Sequence, residues 1–243
     1  MRLFLIAFQF LTIIPLPCDT RCGRDDLGRA TACFPLVGLL IGALLCGAEF
    51  LLAPYLAVGP RSALLVTLLA ALTGALHLDG LADVCDGLAA RGDRERFLAV
   101  MKDSRVGAVG VVGIVLGVLL KWQALATLPA GLRWQALLLF PLVSRFAMVA
   151  AMSGARHARQ EGLGAAFIGG MGWLQLFFAL LFTLAAVLLL VPAQGIAALC
   201  GVTVTALAVR WYFTRRLGGL TGDIVGCICE VGEITTLLIV AAA

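Results

Sequence analysis

Seven apolar stretches, near residues 33–56, 61–79, 106–121, 134–152, 173–192, 196–213 and 224–241, take up most of this chain. Most approach or exceed the ~20 residues that a helix needs to cross the hydrocarbon core of a bilayer. In that solvent every backbone N–H and C=O must be paired inside the segment, and a helix does this within one stretch of chain. Composition agrees. Hydrophobic residues make up 62% of the 243 and charged residues 13%, too little polar surface for a water-soluble domain of this length. The expected fold is all-α: a polytopic integral membrane helical bundle, one membrane-embedded domain over residues 1–243, with about seven transmembrane helices.

One further apolar run, Leu3 to Leu16, follows Met1-Arg2 and ends in Pro15-Leu16-Pro17. It lacks the small-residue cleavage site of a secretory signal, and roughly 14 residues are few for a span. It is expected to be an interfacial or re-entrant helix.

If the helices alternate in direction, segments 18–32, 87–105, 153–165 and 214–223 share one side. They hold Arg21, Arg24, Arg29, Arg91, Arg94, Arg96, Lys102, Arg105, Arg156, Arg159, Arg215 and Arg216, twelve basic residues against Arg61, Lys121 and Arg133 on the other side. The positive-inside rule puts the rich side of this multi-pass chain in the cytoplasm. The acids follow the same map, which the rule does not require; Glu49 alone falls toward the other side. Chemistry is therefore expected at the cytoplasmic face. There is no basic tract with interleaved aromatics, so the modest net charge of +4 argues against a nucleic-acid partner. The eight cysteines form no CxxC pair, which argues against a zinc site.

Within that map one segment is unusual: His77-Leu78-Asp79-Gly80-Leu81-Ala82-Asp83-Val84-Cys85-Asp86-Gly87. Asp79, Asp83 and Asp86, at i, i+4 and i+7, lie on one helix face within about 40° of one another. Carboxylates at a membrane edge need a cation or a partner, and a hard divalent cation suits three of them. The outer two are roughly 10 Å apart along the helix axis, so Mg²⁺ would also need other carboxylates, water or substrate phosphates.

Three other groups draw attention. In Gly218-Gly219-Leu220-Thr221-Gly222-Asp223, a glycine-rich backbone precedes a helix and can present N–H groups to a phosphate. Further along that helix, Glu230 and Glu233 can complete a metal shell or hold a cationic partner. Lys102, Ser104 and Arg105 precede another helix, a placement that suits phosphate or pyrophosphate and equally suits any cytoplasmic helix start. Arg156 belongs to a basic loop that reads either as an anion site or as a topology signal. Arg145 lies inside an apolar run and needs a carboxylate or phosphate partner. Gly107, Gly110, Gly113 and Gly117 imitate a nucleotide loop without the following GK[ST]. They read instead as a close-packing helix face, as do Gly38 and Gly42.

Taken in order, these motifs resemble the cobalamin synthase family, the membrane adenosylcobinamide-GDP ribazoletransferases, over nearly the whole chain. The resemblance rests on Phe10-Leu11-Thr12 to Pro15-Leu16-Pro17, Phe34-Pro35-Leu36-Val37-Gly38, the Asp79/Asp83/Asp86 segment, Asp103-Ser104-Arg105, Glu161-Gly162-Leu163-Gly164, and Gly218-Gly219 with Thr221-Gly222-Asp223. Ile13 stands where many members carry arginine, and Val109 and Leu220 where relatives are often polar. The resemblance implies that adenosylcobinamide-GDP and α-ribazole, or its 5′-phosphate, give adenosylcobalamin, or its 5′-phosphate, and GMP, with Mg²⁺ as cofactor. On that basis the metal set is Asp79, Asp83, Asp86, Asp223, Glu230 and Glu233. Asp83, Asp86 and Asp223 are the catalytic candidates, with Asp86 ahead of Asp223 as ligand or base. Lys102, Asp103, Ser104, Arg105, Arg145, Arg156 and Thr221 are expected to contact substrate. The rivals are another Mg²⁺-dependent membrane phosphotransferase of CDP-alcohol or prenyl-diphosphate type, and an ion-coupled transporter, which should carry ionisable groups near the bilayer midplane.

Overall fold

A computed structural model describes residues 1–16, 23–90, 92–158 and 163–242. Asp19, Arg21, Arg91, Arg159, Glu161 and Gly162, and the Cys18/Cys22 spacing, lie outside the described residues. Among the described residues there are twelve α-helices and no strand. A short helix α1 (Arg2–Leu11) precedes α2 (Arg24–Ala30) and α3 (Phe34–Leu52). Next come α4 (Val58–Leu72), α5 (Leu76–Ala89), α6 (Arg94–Val100) and α7 (Ala108–Thr127). The second half comprises α8 (Arg133–Met152), α9 (Leu163–Gly169), α10 (Trp173–Leu190), α11 (Pro192–Leu217) and α12 (Gly222–Ala241). Six helical stretches are long and apolar enough to cross a membrane, or seven if α4 and α5 count as one bent span. This is a multi-pass membrane bundle.

The bundle is organised around α8, which packs against α3, α10, α11 and α12. Its residues from Ala136 to Met152 are almost all buried. Gly38 and Gly42 let α3 approach, because a Cβ at Gly42 would lie 2.7 Å from the Leu137 carbonyl oxygen. Helix α10 is the opposite case. Phe177, Phe178, Leu181 and Leu189 are exposed, an apolar surface that only a lipid environment makes favourable.

The helix expected over 61–79 is not continuous. It breaks after Leu72, and α5 leaves at 90° to α4. Gly74 and Ala75 both have positive φ, 59° and 55°, a conformation that costs a non-glycine residue roughly 1–2 kcal/mol. The break has local compensation. Thr73 Oγ1 donates to the Leu69 carbonyl at 3.0 Å, and the N–H of Ile13, just past α1, donates to the Leu72 carbonyl at 2.9 Å. The sequence carried little warning, because the apolar pattern runs through the bend unaltered.

Two end-groups organise the bundle. At one end, Arg94 Nε donates to the Leu217 carbonyl (2.8 Å) and Nη2 to the Ala158 carbonyl (2.9 Å), while α2 packs on α9. The four basic segments grouped by the alternation argument therefore meet. At the other, Glu49 receives both Arg133, at 2.5 Å, and Arg61, at 3.0 Å. Lys121 does not belong with that second group, as the sequence map had it. Helix α7 continues to Thr127, and Lys121 is buried inside it.

Candidate functional site

Small residues decide where the aspartate helix sits. A Cβ on Gly80 would lie 2.6 Å from the Asp223 carbonyl oxygen, so only glycine lets α5 cross the start of α12 this closely. Asp79 and Asp223 consequently line one cavity of about 260 Å³. Asp79 is exposed, and Asp83 and Asp223 are half-buried. Further along α5, Gly113 faces Cys85 and Gly117 faces Leu81, the close-packing role expected of the α7 glycines.

The start of α12 is built by hydrogen bonds. Thr221 Oγ1 accepts the Ile224 N–H at 3.2 Å, an N-cap, and Asp223 occupies the first turn, where the positive end of the helix dipole favours an anion. Gly218, at φ 77°, ends α11. The Leu220 N–H then donates to the Arg156 carbonyl (2.8 Å) and the Ala158 N–H to the Leu220 carbonyl (2.9 Å). Residues 156–158 of the basic loop and the glycine turn are thus pinned together. The N–H groups of Gly218 and Leu220 are spent on Thr214 and Arg156 carbonyls, so neither is offered to a phosphate.

Asp86 has a different environment from Asp79. Its Oδ2 accepts the Gly107 N–H and its Oδ1 the Gly110 N–H, both at 2.7 Å. Asp86 therefore caps α7 from α5, anchoring the 101–107 loop beside the aspartate face. A side-chain cap of this kind contributes about 0.5–2 kcal/mol. In that loop Lys102, Asp103, Ser104 and Arg105 are all exposed. Arg105 grips Asp103 through Nε (3.0 Å) and Nη2 (2.8 Å). The guanidinium hydrogen bonds hold the Asp103 carboxyl down at about 2. Arg156 is also exposed, while burial pushes the neighbouring His157 imidazole below its usual value.

Glu230 and Glu233 are not on the aspartate face. They lie about 12–16 Å along α12 from its start and take the cationic-partner alternative. Lys121 Nζ donates to Glu230 at 2.7 Å and to Glu233 at 2.9 Å, and Arg145 Nη1 donates to Glu233. All four side chains are buried. Arg145, expected at a carboxylate or a phosphate, has the carboxylate. In this structure Glu230 and Glu233 meet protein cations and Arg145 a carboxylate, because charges in a dry interior close on each other. An apolar run that stops at residue 121 gives Lys121 no such partner, whereas α7 continues through Ala124-Leu125 to Thr127 and buries Lys121 against these glutamates.

Among the described residues no three Asp, Glu, His or Cys side chains converge as a ready-made metal cage. The donors on the cavity, Asp79 and Asp223, and Asp83 one turn along α5 from Asp79, are hard oxygens. They fit an ion that binds through one or two carboxylates and completes its shell with water and substrate phosphates, the habit of Mg²⁺.

Comparison with known proteins agrees with this architecture. The family model described as cobalamin-5-phosphate synthase matches residues 3–241. A protein of Geotalea daltonii named adenosylcobinamide-GDP ribazoletransferase is 55% identical, covering 100% of this chain and 98% of its own. Proteins with that name from Pseudomonas paraeruginosa and Acetivibrio thermocellus are 40% and 32% identical, each covering 98% of this chain. No solved structure matches. By sequence and by length, the chain belongs to the cobalamin-5-phosphate synthase family.

Proposed function

We propose that this chain joins adenosylcobinamide-GDP to α-ribazole, or its 5′-phosphate, giving adenosylcobalamin, or its 5′-phosphate, and GMP. The observation that carries the reading is the crossing of α5 and α12 at Gly80, which sets Asp79 and Asp223 on one cavity. The basic loops with Lys102, Arg105 and Arg156 lie at that same end of the bundle. A ribose hydroxyl of the acceptor attacks the phosphorus nearer the corrinoid, the P–O–P bond breaks, and GMP leaves with its own phosphate. Bound Mg²⁺ supplies neutralisation of the diphosphate oxygens and of the leaving GMP. Asp79 and Asp83, with Asp223, are the residues to hold it. Lys102, Arg105 and Arg156 hold the diphosphate, with Thr221 fixing the turn that carries Asp223. Asp223 lines the cavity and Asp86 does not, so Asp223 stands ahead of it as acceptor of the hydroxyl proton.

The charge asymmetry supports an inner-membrane protein with this end in the cytoplasm. The transporter reading draws on the deep group of Lys121, Arg145, Glu230 and Glu233, but those charges are closed on one another in pairs. The test is GMP release by the purified protein from adenosylcobinamide-GDP, α-ribazole and Mg²⁺. Turnover dependent on all three is expected. Turnover of a CDP-alcohol or prenyl diphosphate in its place would overturn the reading.

A further inference from the structure

The chain has two histidines, and both line the cavity that holds Asp79 and Asp223. His77 opens α5 and is 2% exposed; His157 sits in the loop after α8. Both ring nitrogens of His77, and Nε2 of His157, are buried without a hydrogen-bonding partner in the protein. The His157 ring is otherwise tied to the Ala165 backbone. A neutral imidazole offers one N–H donor and one bare acceptor, and buried groups of this kind are ordinarily satisfied. The two rings therefore point to polar atoms of something that enters the cavity.

The rest of the lining says what kind of molecule. Phe10 stacks on Phe34 with ring centroids 5.9 Å apart, and Phe167 closes on them at 4.3 and 5.6 Å. Met148 and Met152 of α8 add flexible apolar surface. Among the described residues no lysine or arginine lines the cavity; the cations of this end, Lys102, Arg105 and Arg156, are exposed on loops. Apart from the carboxylates of Asp79 and Asp223, the lining is an aromatic wall with neutral hydrogen-bonding groups and no cation, which suits an uncharged planar ring system better than the body of a diphosphate. At about 260 Å³ the cavity lies near the lower end of the roughly 300–1,000 Å³ of small-molecule sites. It has room for a two-ring base with part of its sugar, whereas a corrin macrocycle carrying a nucleotide far exceeds it.

We infer that this cavity is the acceptor subsite, which takes the benzimidazole base of the α-ribazole nucleoside against the wall that the packed rings of Phe10, Phe34 and Phe167 form. An imidazole N–H of His77 or His157 donates to the bare ring nitrogen of the base. The ribose hydroxyl is then turned toward Asp79 and Asp223, and the corrinoid diphosphate docks outside, on the basic loops. The inference rests on the reaction proposed above. His77 and His157 are positioning residues in this account, since their hydrogen bonds go to the base and not to the reacting atoms.

The native protein provides the main test, through inhibition of GMP release by free benzimidazole. Inhibition competitive with α-ribazole and not with adenosylcobinamide-GDP is expected, with an inhibition constant of order ~1 mM for so small a fragment. Competition with the corrinoid substrate, or no inhibition well above that concentration, would overturn the subsite. Phe10→Ala gives a second measurement. The KM for α-ribazole should rise about tenfold while that for adenosylcobinamide-GDP stays within about twofold, and the reverse split overturns the assignment. Absence of GMP release by the native protein would instead end the reaction reading itself, so the two failures are distinct.

Discussion

Helix α12 carries acids in two settings. Asp223 stands in its first turn, half-buried on a cavity beside Asp79. Glu230 and Glu233, two to three turns on, are buried against Lys121 and Arg145. Identical chemistry is put to opposite use. Asp79 and Asp223 place their carboxylates on a cavity. The glutamates spend theirs on protein cations, and so lock α12 to α7 and α8. Depth in the bundle, and not residue type, separates the carboxylates on the cavity from those closed on buried cations.

The comparison breaks most sharply at Asp83. In Asp83→Asn, turnover should fall by about 10²–10⁴-fold, while the protein remains a single folded species by size-exclusion chromatography in detergent. Near-normal rates at saturating Mg²⁺ would remove Asp83 from the site. Glu233→Ala is its counterpart. It leaves Lys121 and Arg145 buried with one carboxylate between them, and should destabilise the fold by roughly 3–5 kcal/mol, read as a lowered thermal midpoint. An unchanged midpoint would show that the buried group is not structural. Neutralising more of that cluster together, as in Lys121→Met with Glu230→Gln, should cost less than Glu233→Ala alone, because no charge is then stranded by the change.

Asp86→Ala sharpens the line between the two classes. Losing the cap on Gly107 and Gly110 should lower stability by about 0.5–2 kcal/mol and raise the KM for adenosylcobinamide-GDP by loosening the 101–107 loop. A kcat loss as deep as that of Asp83→Asn, with stability intact, would restore Asp86 to catalysis. The smallest effect is expected at the exposed Asp103. Because Arg105 holds its carboxyl at about 2, below the usual carboxylate value, the pair's contribution is present above the free-acid range and is lost only as pH falls toward 2. The KM change in Asp103→Asn, about two- to fivefold for the diphosphate substrate by analogy with an exposed ion pair, should therefore be constant between about pH 5 and 8. A KM effect that titrates within that window would contradict the pairing.

Sequence by itself determined the solvent and the secondary structure. Apolar runs of spanning length dictate helices in lipid because the backbone has no other partner there, and the asymmetry of Arg and Lys grouped four segments that do meet at one end. It also picked out the acids, because charge in an apolar run has no innocuous explanation. Tertiary structure decided what those acids touch. The bend at Gly74-Ala75 turns α5 across α12, and it was invisible because hydrophobicity is indifferent to a change of direction. Lys121 met Glu230 and Glu233 across more than a hundred residues of chain, a contact no local spacing encodes. Likewise, the pairing of two distant histidines with three phenylalanines on one cavity arises only when α1, α3, α5, α9 and the loop after α8 are packed together. Periodicity reports the environment of a helix, whereas a site requires the relative placement of several helices, and that is fixed by side-chain packing between them.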